Sequence, residues 1–274
     1  MKKVIVLSFL IIGICSGINA QESKSYAKVY YKAVSADAGP VTVSIEDGVA
    51  TEAYIKFKLR VRNTTSDYIL VSTDNIIIKS NGQEYKNLER DLLIGPNDDD
   101  SRVIDIKGSG LRFDKFTIEL KGFSRIPAAS GEVKAENFKL PIVKNEFTAG
   151  PFKLIQLKST KKTDDVVVKF SVDYNGDQIG IVHPGQVTLL TPKGTEFANM
   201  APRGQRKPML LKKGQNNTFV VLWKDIPVSN GDMQTANIEL VWHDCFRNTV
   251  SAPFSLPDIE VEFDKGLSDA KNKR

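Results

Sequence analysis

The sequence predicts an all-β protein: two tandem immunoglobulin-like β-sandwich domains related by internal duplication and preceded by a signal peptide. Apolar residues recur at every second position, glycine-bearing turns separate the runs, and the same landmarks return about 115 residues later.

The period of two is clearest in Tyr54-Ile55-Lys56-Phe57-Lys58-Leu59-Arg60-Val61-Arg62, where Ile55, Phe57, Leu59 and Val61 alternate with charged residues. Successive strand side chains point to opposite faces, so this run has one buried and one wet face. Val166 to Val172, Phe116 to Leu120 and Asn237 to Trp242 read the same way. Asn81-Gly82, Asn175-Gly176, Lys193-Gly194 and Asn230-Gly231 punctuate the runs, with glycine supplying the positive φ that tight turns need. No stretch of ~12 residues carries an amphipathic helical stripe.

The halves match in order. Ala38-Gly39-Pro40 returns as Ala149-Gly150-Pro151, Lys56-Phe57 as Lys169-Phe170, and Gly82 to Asn87 as Gly194 to Asn199. Ile118-Glu119-Leu120 returns as Ile238-Glu239-Leu240, and Phe138-Lys139-Leu140-Pro141 as Phe254-Ser255-Leu256-Pro257. About seven short strands in each unit of roughly 110 residues suit a sandwich. The expected boundaries are 21–143 for the first sandwich and 144–263 for the second, with 264–274 a polar, frayed tail.

Residues 1–20 read as an export signal: Lys2 and Lys3, an apolar stretch from Val4 to Ile14, then small and polar residues up to Ala20. Cleavage there leaves Gln21 first. Cys15 raises the lipoprotein alternative, but it follows Ile14 where a lipobox wants a small residue. No later segment offers the ~20 apolar residues of a membrane helix, so no transmembrane anchor is expected after cleavage. The expected location is the periplasm, or a secreted or surface position. Only Cys245 then remains, so no internal disulfide is available and stability must come from apolar cores.

The strand Ile55–Val61 running into Asn63-Thr64-Thr65-Ser66, the turn at Asn81-Gly82 and the Gly95-Pro96 pair carry a resemblance. With them the chain resembles the broad group of secreted bacterial proteins with tandem telokin-like, immunoglobulin-like domains. The resemblance implies the sandwich fold and covers most of the first unit. That group has no common activity to carry over.

Chemistry offers few candidates. The histidines are His183 and His243, and His243 lies two residues from Cys245. On a strand that spacing puts both on one face with Cβ atoms roughly 6–7 Å apart, loose for a nucleophile and its base. No catalytic residues and no cofactor are assigned. The acidic run Asp98, Asp99 and Asp100 is a calcium candidate, with a solvated turn as the plainer reading. From Phe197 to Lys224 there is no acidic residue, and Arg203, Arg206, Lys207, Lys212 and Lys213 form a basic loop suited to a carboxylate, sulfate or phosphate. Trp223 and Trp242 share faces with apolar neighbours and are expected in the core.

A net charge of +5 over 274 residues is mild and does not suit nucleic acid. The expected function is a non-enzymatic exported binding or structural module contacting an envelope or surface protein, or an anionic glycan. The alternatives are a two-domain periplasmic chaperone donating Asn137 to Val143 as an edge strand, and a hydrolase using His243 and Cys245.

Overall fold

The computed structural model describes residues 26–86, 90–142 and 144–273, so the expected signal peptide lies outside the described residues. Strands hold 53% of the described residues and helix 9%, and every ladder among them is antiparallel: the fold is all-β.

Short strands β1 (Val29–Tyr30) and β2 (Val34–Ala38) lead into the long β3 (Val41–Ala50) and β4 (Tyr54–Asn63). Then come β5 (Tyr68–Val71), β6 (Ile76–Ser80), β7 (Gln83–Lys86) and β8 (Leu92–Ile94). β9 (Asp99–Lys107), β10 (Lys115–Leu120) and β11 (Phe123–Ile126) follow, with β12 (Glu132–Val133) and β13 (Phe138–Leu140) at the middle of the chain. The second half repeats this with β14 (Glu146–Ala149), β15 (Phe152–Lys161), β16 (Val166–Tyr174), β17 (Ile179–Val182), β18 (Val187–Leu190) and β19 (Glu196–Ala198). A short helix, α1 (Arg203–Arg206), precedes β20 (Met209–Leu211), β21 (Asn216–Trp223), β22 (Ile238–Trp242) and β23 (Phe246–Thr249). The chain closes with β24 (Ala252–Pro253), β25 (Ile259–Glu262) and helix α2 (Lys265–Asn272).

Neighbour order is the same in both halves. β2-β3-β4-β9 corresponds to β14-β15-β16-β21, β25-β10-β6-β7 to β13-β22-β18-β19, and β24-β11-β5-β8 to β12-β23-β17-β20. Those lists also expose an exchange. β12 and β13 pair with β23 and β22 of the second half, while β24 and β25 return to β11 and β10 of the first. The expected division after residue 143 therefore does not separate the sheets. Each half is closed by the other's last two strands.

The exchange also corrects one repeat match. Phe138 to Leu140 forms β13, but Phe254 and Leu256 precede their strand, and Ile259 to Glu262 makes the ladder. Pro257 has no N–H to give a ladder and stands just before β25.

The strands β5–β6 and β10–β11 run on through a bend. At Gly122, with φ 87°, the carbonyl accepts from Ser72 N at 2.9 Å, and a Cβ would stand 2.6 Å from the Ser72 carbonyl oxygen. Only glycine fits there. Past the bend, β5 and β8 are buried on both faces. Ile69, Val71, Leu92 and Ile94 enter the first core, whereas Tyr68, Leu70 and Leu93 point the other way. They meet Ile126 and Ile181 in a third buried cluster, with Ile179 and Leu210 at its margin. The second core, around Phe170, Trp223 and Phe246, fills the other half. Trp223 and Trp242 both belong to it, as their apolar neighbours predict.

The end of β4 and Gly95 meet in one buried node. Asn63 Nδ2 donates to the carbonyls of Asp67 and Gly95, and Asn63 Oδ1 accepts from Thr65 N and Thr65 Oγ1.

The tail from residue 264 is not frayed. Asp264 caps α2 by accepting from Leu267 N at 2.9 Å, Ser268 is buried against Tyr30, and Asn272 Nδ2 donates to Lys28 O at 2.8 Å. Eight residues are too few for a 12-residue helical window to register, which is why the pattern was not visible.

Because β25 completes the first core from the far end of the chain, two outcomes are expected. Residues 21–143 expressed alone should not fold cooperatively, and should recover structure when co-expressed with 144–274. Ile259→Ala should destabilise the whole protein by about 2–4 kcal/mol in a single calorimetric transition. Two well-separated transitions would argue against a mutually closed pair.

Candidate functional site

The acidic run and the basic loop, with Asp98 and Arg203 105 residues apart in sequence, face each other across the junction of the halves. Asn199 positions the loop: buried, it donates to Pro184 O at 2.9 Å and accepts from Ala201 N and Leu222 N. Beyond it, α1 places Arg203 against Asp98 and Asp99, the latter at 3.1 Å. Lys207 Nζ lies 2.7 Å from Asp100 Oδ1. Arg60, from β4, reaches Asp99 Oδ2 at 3.1 Å and Glu46 at 3.4 Å, so the network continues onto the outer sheet. The guanidinium of Arg203 holds the Asp99 carboxyl below the usual carboxylate range.

Two of the three remaining basic candidates are also engaged. Lys212 pairs with Asp91 at 3.0 Å and Lys213 with Asp177. Arg206 is exposed and makes no ion pair among the described residues. The loop thus presents mostly neutralised charge. For calcium, Asp98 and Asp99 are both taken up by Arg203, and Asp100 turns to Lys207. Among the described residues no three His, Cys, Asp or Glu side chains converge as metal ligands. Both runs were legible as charge; their mutual contact was not.

His243 and Cys245 do not share a strand face. His243 and Asp244 form a turn, with Asp244 at φ 50°, and the turn sends the two side chains apart. Cys245 is 1% exposed, and burial pushes its thiol well above the ordinary value. His243 is exposed, its Nε2 2.7 Å from Glu196 Oε2. The backbone here serves the bend: Cys245 O accepts from His183 N at 2.8 Å, the counterpart of Gly122 and Ser72.

That bend carries a polar cluster the sequence reading missed. His183 Nδ1 lies 3.2 Å from the hydroxyl of Tyr68, across the junction. Arg247, 3% exposed, stacks over the Tyr68 ring at 5.9 Å, donates to Ser130 O at 2.9 Å and pairs with Asp244. Burial lowers the imidazole's affinity for a proton, with Asp244 and Asp98 opposing that effect and Arg247 adding to it. The available signal was the unbroken apolar run Tyr68-Ile69-Leu70-Val71, which marks a strand buried on both faces and hence a second layer behind it.

The donor segment of the chaperone reading is already used within the chain. Phe138 and Leu140 pair with Leu240 and Ile238 and are buried in the second core.

A pH dependence follows from His183. Its folded proton affinity lies below the ordinary value of 6.5, so below about pH 6.5 the unfolded chain binds the extra proton and stability falls. Between pH 7 and pH 5 the loss should not exceed about 1.4 kcal/mol per pH unit, the limit for one proton. Denaturant melts of His183→Gln should show a flatter profile over that window; an unchanged slope would remove His183 as the cause.

Comparison with known proteins adds little. No protein-family model matches the chain, and no curated protein matches it. A solved structure of infectious bursal disease virus, Gx strain, aligns over 88% of this chain and 67% of its own at 13% identity. Its TM-score is 0.20, and at that value the alignment supports no statement about this chain's fold or role.

Proposed function

We propose that the chain is a duplicated pair of immunoglobulin-like sandwiches, exported by residues 1–20, that works as a non-enzymatic binding or structural module of the cell envelope. Its partner on this reading is an envelope protein or a glycan. The matching order of strand neighbours in the two halves supports the duplication.

The observation that carries the functional reading is where the reactive side chains lie. The thiol of Cys245 is sealed in a core, His183 is held at the junction by Tyr68, and His243 is tied to Glu196 on the surface. His183 and Cys245 adjoin through a backbone hydrogen bond and His243 lies apart on the surface, which supports a structural use for the three. What the fold offers to other molecules is a stiff body with two outer sheets, β2-β3-β4-β9 and β14-β15-β16-β21. Loops and sheet faces of that kind bind by contact. No helix among the described residues is long and apolar enough to cross a membrane.

Two measurements test this. Intact mass of the exported protein should correspond to a chain beginning at Gln21; retention of residues 1–20 would contradict export by cleavage. Purified mature protein should bind isolated envelope proteins or envelope polysaccharide saturably by interferometry, without releasing any product. Turnover of either material, or no saturable binding to both, would overturn the reading.

A further inference from the structure

The outer sheets differ at one corresponding place. Both long hairpins carry an irregularity, between Glu46 and Val49 in β3 and between Gln156 and Lys158 in β15. In β3, Glu46 stands opposite Lys58, and the pair closes as a salt bridge of 3.2 Å. Counted from the Gly-Pro turns, where Val41 pairs with Asn63 and Phe152 with Tyr174, Lys169 occupies the place of Lys58. This is two residues from the Lys56 match read in the sequence. Opposite Lys169 stands Lys158.

Two ammonium-bearing side chains therefore occupy a directly opposed cross-strand pair. Their Cβ atoms lie about 4.5–5.5 Å apart at such positions, and like charges there destabilise a sheet. Among the described residues neither lysine makes an ion pair, and neither does Lys162 beside them. The three lysines line a cleft of about 320 Å³ together with Thr160, Asp165, Val167 and Val220. Valines supply an apolar floor, Thr160 a hydroxyl, and Asp165 is the one carboxylate against three cations. A β-bulge re-aims side chains and often lies next to a site.

Resting on the binding-module reading above, we propose that this cleft holds a phosphate or sulfate ester carried on a sugar. Lysines act as point charges toward such an oxyanion, whereas the apolar floor and the hydroxyl suit a carbon skeleton with hydroxyl groups. The cleft is at the small end of the ligand-site range of roughly 300–1,000 Å³, which fits a single sugar unit. Its concavity and the carboxylate on its rim disfavour a flat anionic bilayer.

The test uses the mature full chain with glucose 6-phosphate, inorganic phosphate and phosphatidylglycerol vesicles as probes. Glucose 6-phosphate should bind on the order of tenfold more tightly than inorganic phosphate, weaken with salt, and shift the amide resonances of Val167, Lys169 and Val220. Lys158→Glu should reduce that affinity by on the order of tenfold or more. Because it recreates the Glu46–Lys58 arrangement, it should also raise Tm by about 1–3 °C. Equal affinity for inorganic phosphate, binding to vesicles alone, or shifts at other residues would overturn the sugar-ester assignment. If no probe binds while envelope material is still captured and Lys158→Glu leaves that capture unchanged, this site falls and the broader reading survives. If nothing binds, both fall.

Discussion

The structure depends on one constraint: in each half, two of the three sheets are completed by strands of the other half. β25 lies against β10, and β13 against β22, so each core is closed by a segment from the other half of the chain. Ile259 and Val261 are almost wholly buried, and burial of such a side chain contributes about 1.5–3 kcal/mol. The free energy of each sandwich is thus tied to the presence of both. The cluster of Tyr68, Leu70, Leu93, Ile126 and Ile181 adds apolar contact between the inner sheets. Domains joined by a short linker and a polar interface move against each other by default. Two crossing pairs of strands and an apolar layer remove that freedom.

This constraint also explains where the charges went. Strand exchange fixes the junction, and the loops at its rim face each other at fixed distance. Arg203 and Lys207 meet Asp98, Asp99 and Asp100 there, and Lys212 meets Asp91. Exposed ion pairs of this kind stabilise weakly. Their larger effect is on register, since a shifted junction would set like charges together or leave Asp99 without its guanidinium. The seam is therefore apolar in the middle and polar at the rim, with His183, Tyr68 and Arg247 forming the boundary between the two.

Local structure was legible because it is written at short range. Period-two alternation gave β4, β10, β16 and β22, and the Asn81-Gly82 pair gave the hairpin between β6 and β7, both residues at positive φ. Core placement of Trp223 and Trp242 followed from their neighbours. Strand partners were not legible, because a strand's alternation is the same whichever sheet it joins. The match of Phe138-Lys139-Leu140-Pro141 to Phe254-Ser255-Leu256-Pro257 shows the limit: similar tetrapeptides sit in and before their strands respectively. Basic and acidic runs were visible as separate candidates, but charge runs carry no information about contact across 105 residues. The turn at His243 and Asp244 likewise overrode the strand spacing that set His243 beside Cys245.

A mutually closed body can tolerate local penalties that an isolated sandwich could not. An opposed like-charge pair costs up to about 1 kcal/mol, against a total stability of roughly 5–15 kcal/mol for an ordinary domain. In the first half the same position is neutralised by Glu46 and extended by Arg60 into the rim network. In the second half Lys158 and Lys169 keep the repulsion, although one change to glutamate would relieve it. Stability and binding can pull such positions in opposite directions, which is why the proposed binding site is placed at this pair. The two outer sheets share a backbone plan and differ in charge at the bulge: one closes the Glu46–Lys58 pair there, and the other sets Lys158 opposite Lys169.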